Sequence, residues 1–330
     1  MTSSTTIAVG SASRDDRIES AAADLGVLAE RDVALAPLTT YRVGGNAALF
    51  VRPRTMADLD RIAAVVHDTG LPALVVGRGS NMLVADDGFQ GIAISLTELS
   101  AAERIEGDIV TAGATVALPQ LARRVVAASL TGFEWAVGVP GSVGGAVKMN
   151  AGGHGGDMQG CLVDAKLFDL RTRRHGWVPA GLLGLRFRGS DIADHQVVVE
   201  ARLQLASGDR ERSEAELNEI VRWRREHQPG GQNAGSVFVN PIPGELSAGE
   251  LIDRVGLRGT VLRTASVSDK HANFIQGGEG GLAADVVELI EFVRARVAAE
   301  TGFLLRSEVR LVGFAVSDAS TSDDDPGVTW

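Results

Sequence analysis

The chain holds one cysteine, Cys161, and one tyrosine, Tyr41, among 330 residues. A single thiol cannot close an internal disulfide, and its scarcity suits a reducing compartment, so a cytoplasmic location is expected. No apolar run reaches the ~18 residues of a membrane span. The opening stretch, MTSSTTIAVGSASRDDR, lacks a basic segment followed by an apolar one, so neither an anchor nor a secretory signal is expected. Lys and Arg number 32 against 42 Asp and Glu, a formal charge of −10. Without a basic stripe to neutralise phosphates, nucleic acid is excluded as a partner. The histidines lie far apart and no Cys/His cluster has ligand spacing, so no metal site is expected. Residues 1–18 and 317–330 are rich in Ser, Thr and Asp and are expected to be disordered.

Glycine is what the chain has in excess. There are 40 glycines, and eight fall in the stretch Val137–Gly156, VGVPGSVGGAVKMNAGGHGG. Backbone without side chains approaches a phosphate-bearing ligand closely, and its turns can converge amide N–H groups on oxygen atoms. A shorter segment of the same kind, Gly77-Arg78-Gly79-Ser80-Asn81, follows the buried-strand signal Ala73–Val76. Neither fits the best-known phosphate loops. Met82 stands where a dinucleotide fingerprint has its third glycine, and GxxxxGK[ST] does not occur.

The hydrophobic pattern predicts strands at 47–51, 73–76, 91–95, 109–111, 162–170, 197–205 and 309–312. Helices are predicted after Thr55, ending at Gly70, around Pro119, with Gly132 as the stop, and over 282–300, closed by Gly302. Ser213 with Glu216, and Ser247 with Glu250, read as capping boxes for two more. Strands and helices mix without a strict βαβ rhythm, which favours α+β layers over a doubly wound parallel sheet. A composition change at Ala206-Ser207-Gly208-Asp209 suggests a boundary, and a chain of this length is expected to form two or three domains.

Three further segments each frame a reactive residue with small or apolar ones: LRFRGS around Arg188, NAGSVFVNP around Ser236 and LRSEVRL around Glu308. Singly, Ser236 reads most simply as a turn serine, Arg188 as a surface ion-pair partner and Glu308 as a solvated strand-end charge. A serine hydrolase would need a G-x-S-x-G elbow and a histidine base, and neither is present.

Their order changes this reading. TTYRVGG (39–45), GRGSN (77–81), VPGSVGGAVKMNAG (139–152), FRGS (187–190), NAGSVFVNP (233–241), VSDKHANF (267–274) and SEVRLVG (307–313) together resemble the UDP-N-acetylenolpyruvoylglucosamine reductase (MurB) family, over residues 20 to 315. The short interval from Arg188 to Ser236 resembles the compact branch of that family, without an inserted substrate-covering loop. The resemblance implies an FAD-binding domain of the vanillyl-alcohol-oxidase (PCMH) type in 19–206, built as two α+β subdomains. A smaller α/β substrate domain would occupy 207–305, and a last strand in 306–316 would return to the active site. It further implies non-covalent FAD, NADPH as hydride donor, UDP-N-acetylglucosamine enolpyruvate as substrate and a monomeric enzyme of peptidoglycan precursor synthesis. Hydride would reach C3 of the enolpyruvyl group from flavin N5, and a proton C2.

In that mechanism Arg188 would stabilise the developing enol carboxylate, Ser236 would supply the C2 proton, and Glu308 would donate to the carboxylate or orient Arg188 and water. Cofactor contacts are expected from Arg42, Gly44, Gly45, Gly77, Arg78, Gly79, Ser80, Asn81, Met82, Pro140, Gly141, Ser142, Gly144, Gly145, Asn150 and Gly152, and substrate contacts from Asn240, Lys270, His271, Arg222 and Arg225. Two positions depart from the family pattern: Phe187 replaces a usual tyrosine, and Val239 a frequent basic residue. Another flavin oxidoreductase on the same scaffold, or a silent UDP-sugar- or FAD-binding paralogue, are the alternatives. Covalent flavin would have to use His154 or Cys161.

Overall fold

A computed structural model describes residues 13–314 and 328–329. Expected disorder in 1–12, 317–327 and 330 lies outside the described residues. Where the ends are described they are ordered, which corrects the expectation there. Ser13 caps helix α1 (Arg14–Leu25) by accepting from the Asp16 N–H, and Asp16 returns a bond to Ser13. That helix buries Ala21, Ala22 and Leu25 in the largest core. Val328 is also buried there, its N–H and carbonyl bonded to the side-chain amide of Gln196 at 2.9 and 2.7 Å.

The N-terminal two-thirds packs two sheets and four helices around that core. Strand Asn46–Val51 lies antiparallel to Ala29–Ala34 and parallel to Phe89–Ile94, which pairs in parallel with Ala73–Val75. Helix α2 (Met56–Thr69) starts at the Thr55/Asp58 capping box and ends at Gly70 in the left-handed conformation. The second sheet is antiparallel and runs His175–Pro179, Leu162–Asp169, Gln196–Gln204, Ile109–Gly113, Glu103–Glu106. Helix α3 (Leu118–Ala127) carries Pro119 in its first turn and ends at Ala128, short of the predicted Gly132. Complete burial of Leu118, Leu121 and Val125 holds it down, at roughly 1.5–3 kcal/mol for each large aliphatic side chain. The glycine-rich stretch is largely regular, with the short helix α4 (Val143–Met149) and a hairpin of Gly152–Gly153 with Gly156–Asp157.

Helix α5 (Arg210–His227) begins three residues before the predicted cap, with Asp209 as N-cap. Ser213 is inside the helix, where its hydroxyl bonds the buried Glu134. Leu217 and Ile220 join the first core, so α5 packs with the N-terminal part although composition assigns it to the second domain. A second core gathers residues 234 to 309 with Tyr41, Val43 and Leu83, around helices α6 (Ala248–Arg254) and α7 (Ala283–Thr301). The chain then returns: strand Arg310–Val312 pairs in parallel with Met82–Val84, directly after the first glycine-rich loop.

Candidate active site

That return brings the reactive segments together. The Arg310 N–H donates to the Asn81 carbonyl, and the Asn81 side chain donates to the Glu308 carbonyl at 2.8 Å. On its other side the Glu308 N–H donates to the Val237 carbonyl, also at 2.8 Å. Glu308 is thereby tied both to the glycine-rich loop and to the residue after Ser236. The turn before Ser236 is set by Gly235, at φ 79°, whose N–H donates to the Asn233 side chain. Beyond Ser236, buried Asn273 clamps the chain. Its amide exchanges bonds with the Phe238 N–H and carbonyl, and its own carbonyl accepts from Val237. Tyr41, fully buried, packs in the same cluster as Ala234 and Val237, beneath this loop.

Arg188 arrives from the tip of a tight hairpin closed by Arg186 and Gly189. Its Nη1 donates to the Gly152 carbonyl at 2.9 Å, and its Nε lies 3.3 Å from Glu308 Oε2. This second contact is ionic rather than a hydrogen bond, because Nε is buried and not aligned on any acceptor. The guanidinium carbon stands 5.3 Å from the Phe187 ring centre, so Phe187 supplies a cation–π contact in place of a phenol. Burial pushes the Glu308 carboxyl above the usual carboxylate range, opposed by Arg188 and Arg306.

Arg188, Ser236 and Glu308 all line one cavity of about 700 Å³, within the ~300–1,000 Å³ of small-molecule sites. Its walls include Val75, Val76, Leu96, Leu118, Val139, Val197 and Val198, and charge is confined to a few side chains: Arg78, Lys148, Arg188, Asp194, Arg224, Glu308 and Arg310. Gly77, Arg78, Gly79, Ser80, Asn81, Met82, Pro140, Gly141, Ser142, Gly144, Gly145 and Gly152 are also in the lining. A Cβ on Gly141 would meet nothing nearer than 3.6 Å of protein, so its bare backbone leaves room for a ligand. Such a mostly apolar cavity with glycine-rich walls fits a bulky phosphate-bearing cofactor.

Four expected cofactor residues stand elsewhere. Arg42 is exposed on a turn with φ 54°. Gly44 and Gly45 allow close backbone crossing, since a Cβ would fall 2.2 Å from the Val84 oxygen and 2.3 Å from that of Asp86. Asn150 is buried and bonded within the protein. None of the five expected substrate residues is in the cavity lining. The Asn240 side chain accepts from the Ala248 N–H at the start of α6. Lys270 bonds the Arg225 carbonyl, His271 accepts from the Asn273 N–H, and Arg222 and Arg225 are exposed on α5. Arg224 lines the cavity instead, its Nε bonded to Gln228 at 2.7 Å, and burial lowers its pKa. Helical periodicity could have singled it out: 217, 220 and 224 share a face. Asp194 and Gln196 fall in none of the quoted segments, and Lys148 and Asn273 lie inside two of them without having been singled out. Cys161 does not line the cavity, and burial followed by the nearby Asp157 pushes its thiol up to about 12. His154 lines a separate depression with Trp223.

Fold and cavity fit a flavoprotein, with an FAD-binding domain of the vanillyl-alcohol-oxidase type followed by a smaller α/β domain, and the similarities to known proteins bear this out. The family model described as FAD binding domain matches residues 47–169, and that for the C-terminal domain of UDP-N-acetylenolpyruvoylglucosamine reductase matches residues 227–312. The UDP-N-acetylenolpyruvoylglucosamine reductase of Heliobacterium modesticaldum is 44% identical over 279 residues, 83% of this chain and 88% of that one. An enzyme of the same name from Methylorubrum extorquens is 38% identical over 306 residues, 92% and 98% of the two chains. The crystal structure of the Thermus caldophilus reductase superposes with a TM-score of 0.75 at 35% identity, covering 86% of this chain and 98% of that one. The chain belongs to the UDP-N-acetylenolpyruvoylglucosamine reductase family.

Proposed function

We propose that Arg188, Ser236 and Glu308 carry the second half of the reaction, in which UDP-N-acetylglucosamine enolpyruvate is reduced to UDP-N-acetylmuramate. The observation that supports this reading is their convergence on one cavity from segments up to 120 residues apart. Bound FAD, reduced by NADPH, would supply a hydride for C3 of the enolpyruvyl group. Gly77, Gly79, Gly141 and Gly145 are the backbone positions that would hold the cofactor's diphosphate. Arg188 offers a planar fork to the substrate carboxylate, where negative charge grows as the hydride adds. Ser236 holds the proton for C2, on the face that its turn presents to the cavity. An alcohol is a weak acid, so the transfer depends on a strongly basic developing carbanion and on a polarised hydroxyl. Glu308, with its raised pKa, keeps a proton more readily than an exposed carboxyl and can donate it to the substrate carboxylate. Arg224 faces the diphosphate of the substrate or the cofactor.

The division into a cofactor region, 19–206, and a substrate region, 207–305, draws support from the second core, with α5 as the element that packs across. The enzyme is further proposed to act as a monomer. Among the described residues no helix is long and apolar enough to cross a membrane, and cytoplasmic peptidoglycan precursor synthesis is the setting we infer. Anaerobic reduction of the purified flavoprotein by NADPH, then mixing with the enolpyruvyl sugar nucleotide, tests the reading. Rapid return of oxidised flavin absorbance with formation of the lactyl ether supports it. Reoxidation by dioxygen alone, with no response to the sugar nucleotide, overturns it.

A further inference from the structure

Asn150 closes α4 in the left-handed conformation, at φ 41°, and is only 2% exposed. Its side chain is fully engaged inside the protein. Oδ1 accepts from the Gln159 N–H at 2.8 Å, and Nδ2 donates to the Arg186 carbonyl at 3.1 Å, with Asp157 Oδ2 at 3.4 Å. Arg186 is the base of the hairpin that carries Arg188: its N–H and carbonyl exchange bonds with Gly189 at 2.9 and 3.1 Å. Arg188 itself has φ 58°, a conformation that a non-glycine residue keeps only when its surroundings impose it.

Three bonds register this hairpin against the end of α4. Ser190 Oγ donates to the Lys148 carbonyl at 2.6 Å, Asn150 Nδ2 to the Arg186 carbonyl and Arg188 Nη1 to the Gly152 carbonyl. The last is made by the reactive guanidinium, and the first lies beyond the turn. Of these three bonds among the described residues, the one from the Asn150 amide grips the turn at its base. Gly144, Gly145 and Lys148 of the same helix line the cavity, so one short element sets both the cavity wall and the arginine.

We propose that Asn150 is a positioning residue: by holding the Arg186 carbonyl it fixes the Phe187–Arg188 turn on the end of α4, so that the Arg188 guanidinium enters the cavity beside Glu308 in one orientation. This rests on the reading of Arg188 as the group that meets the substrate carboxylate, and the test separates the two. The Asn150→Gly variant deletes the amide and leaves the left-handed backbone unstrained. The Asn150→Asp variant keeps the shape but sets an acceptor against the Arg186 carbonyl, and serves if the glycine variant holds no flavin.

The holoenzymes are compared by flavin absorbance, thermal midpoint, reduction by NADPH and reoxidation by the enolpyruvyl sugar nucleotide. Both variants should bind flavin and be reduced within about twofold of the native rate, while reoxidation slows about tenfold, since a misplaced group of this kind can cost up to ~100-fold. In an Arg188→Ala background the Asn150 substitution should add nothing, because residues acting as one unit are not additive. The pH profile of reoxidation should also move to higher pH, because a displaced guanidinium no longer opposes the burial that raises Glu308. An Asn150 penalty that persists in full without Arg188, or equal slowing of both half-reactions, overturns the proposal. Slow reoxidation by Arg188→Ala with native reoxidation by both Asn150 variants also overturns it, alone. Native reoxidation by Arg188→Ala overturns the reading of Arg188 and the proposal with it.

Discussion

The side-chain amide of Asn81 donates to the main-chain carbonyl of Glu308 across 227 residues of sequence, at 2.8 Å. This bond locks the last strand onto the glycine-rich loop and sets the height at which the Glu308 carboxyl enters the cavity. Asn81→Ala should lower stability by about 1 kcal/mol, the usual net value of one such bond. It should also slow reoxidation by substrate more than reduction by NADPH. Thermal melts and stopped-flow traces of the two half-reactions check this.

Ser236→Ala should retain bound FAD and near-native reduction by NADPH, while reoxidation by the enolpyruvyl substrate falls by the ~100-fold typical of a lost general acid. Ser236→Cys, which keeps an ionisable proton, should recover part of that rate. Wild-type reoxidation by Ser236→Ala would remove Ser236 as the proton donor.

The two glycine-rich segments should respond differently to a side chain. Gly141 lines the cavity and a Cβ there would meet Leu118, Ser80 and Val139 at ordinary van der Waals distances of 3.6–3.7 Å, so Gly141→Val should give a folded, colourless protein. Gly79 has φ 58°, and a Cβ there would lie 2.1 Å from the Leu38 oxygen, so Gly79→Val should unfold the loop itself. Flavin absorbance with circular dichroism tells loss of cofactor from loss of fold.

Glu308 makes stability depend on pH. Its folded pKa is raised, chiefly by burial, so the folded state binds the proton more tightly than the unfolded chain. The resulting stabilisation is complete below the unfolded carboxyl pKa and is lost as pH rises through the folded value. Glu308→Gln removes this term, so its thermal midpoint should fall less than the native one across that window. A native slope in the variant would place the titrating group elsewhere.

Among the arginines of α5, Arg224→Ala should raise the KM for substrate or weaken FAD. A charged hydrogen bond is worth roughly 1.5–3 kcal/mol, or about ten- to a hundredfold. Arg222→Ala and Arg225→Ala, on exposed positions, should leave both within about twofold. Steady-state kinetics and flavin titration decide between them.

Local signals were legible where the chain's own neighbours supply the bond. Thr55, Pro119, Gly70 and Gly302 mark helix ends because caps and turns involve residues a few positions apart. Ser213 misled because serine with a glutamate three residues on is also a pattern found inside a helix. Here the deciding partner was Glu134, distant in sequence and buried on another element. Arg222 and Arg225 drew attention as charges, whereas the turn of α5 against the first core selects Arg224.

The sequence alone determined the chemistry on offer: two glycine-rich segments bare enough for a phosphate-bearing ligand, and an arginine, a serine and a glutamate in family order. Composition and local spacing suffice for that, because they state which groups exist and which turns the backbone can make. Only the tertiary structure decided which of them meet. Glu308 reaches the cavity because the strand that follows it, Arg310–Val312, pairs with Met82–Val84, and Asn150 turns from the cavity to hold the Arg188 hairpin. Those pairings depend on long-range burial and hydrogen bonding between distant segments, and that geometry has no period or spacing by which it could be read from the chain.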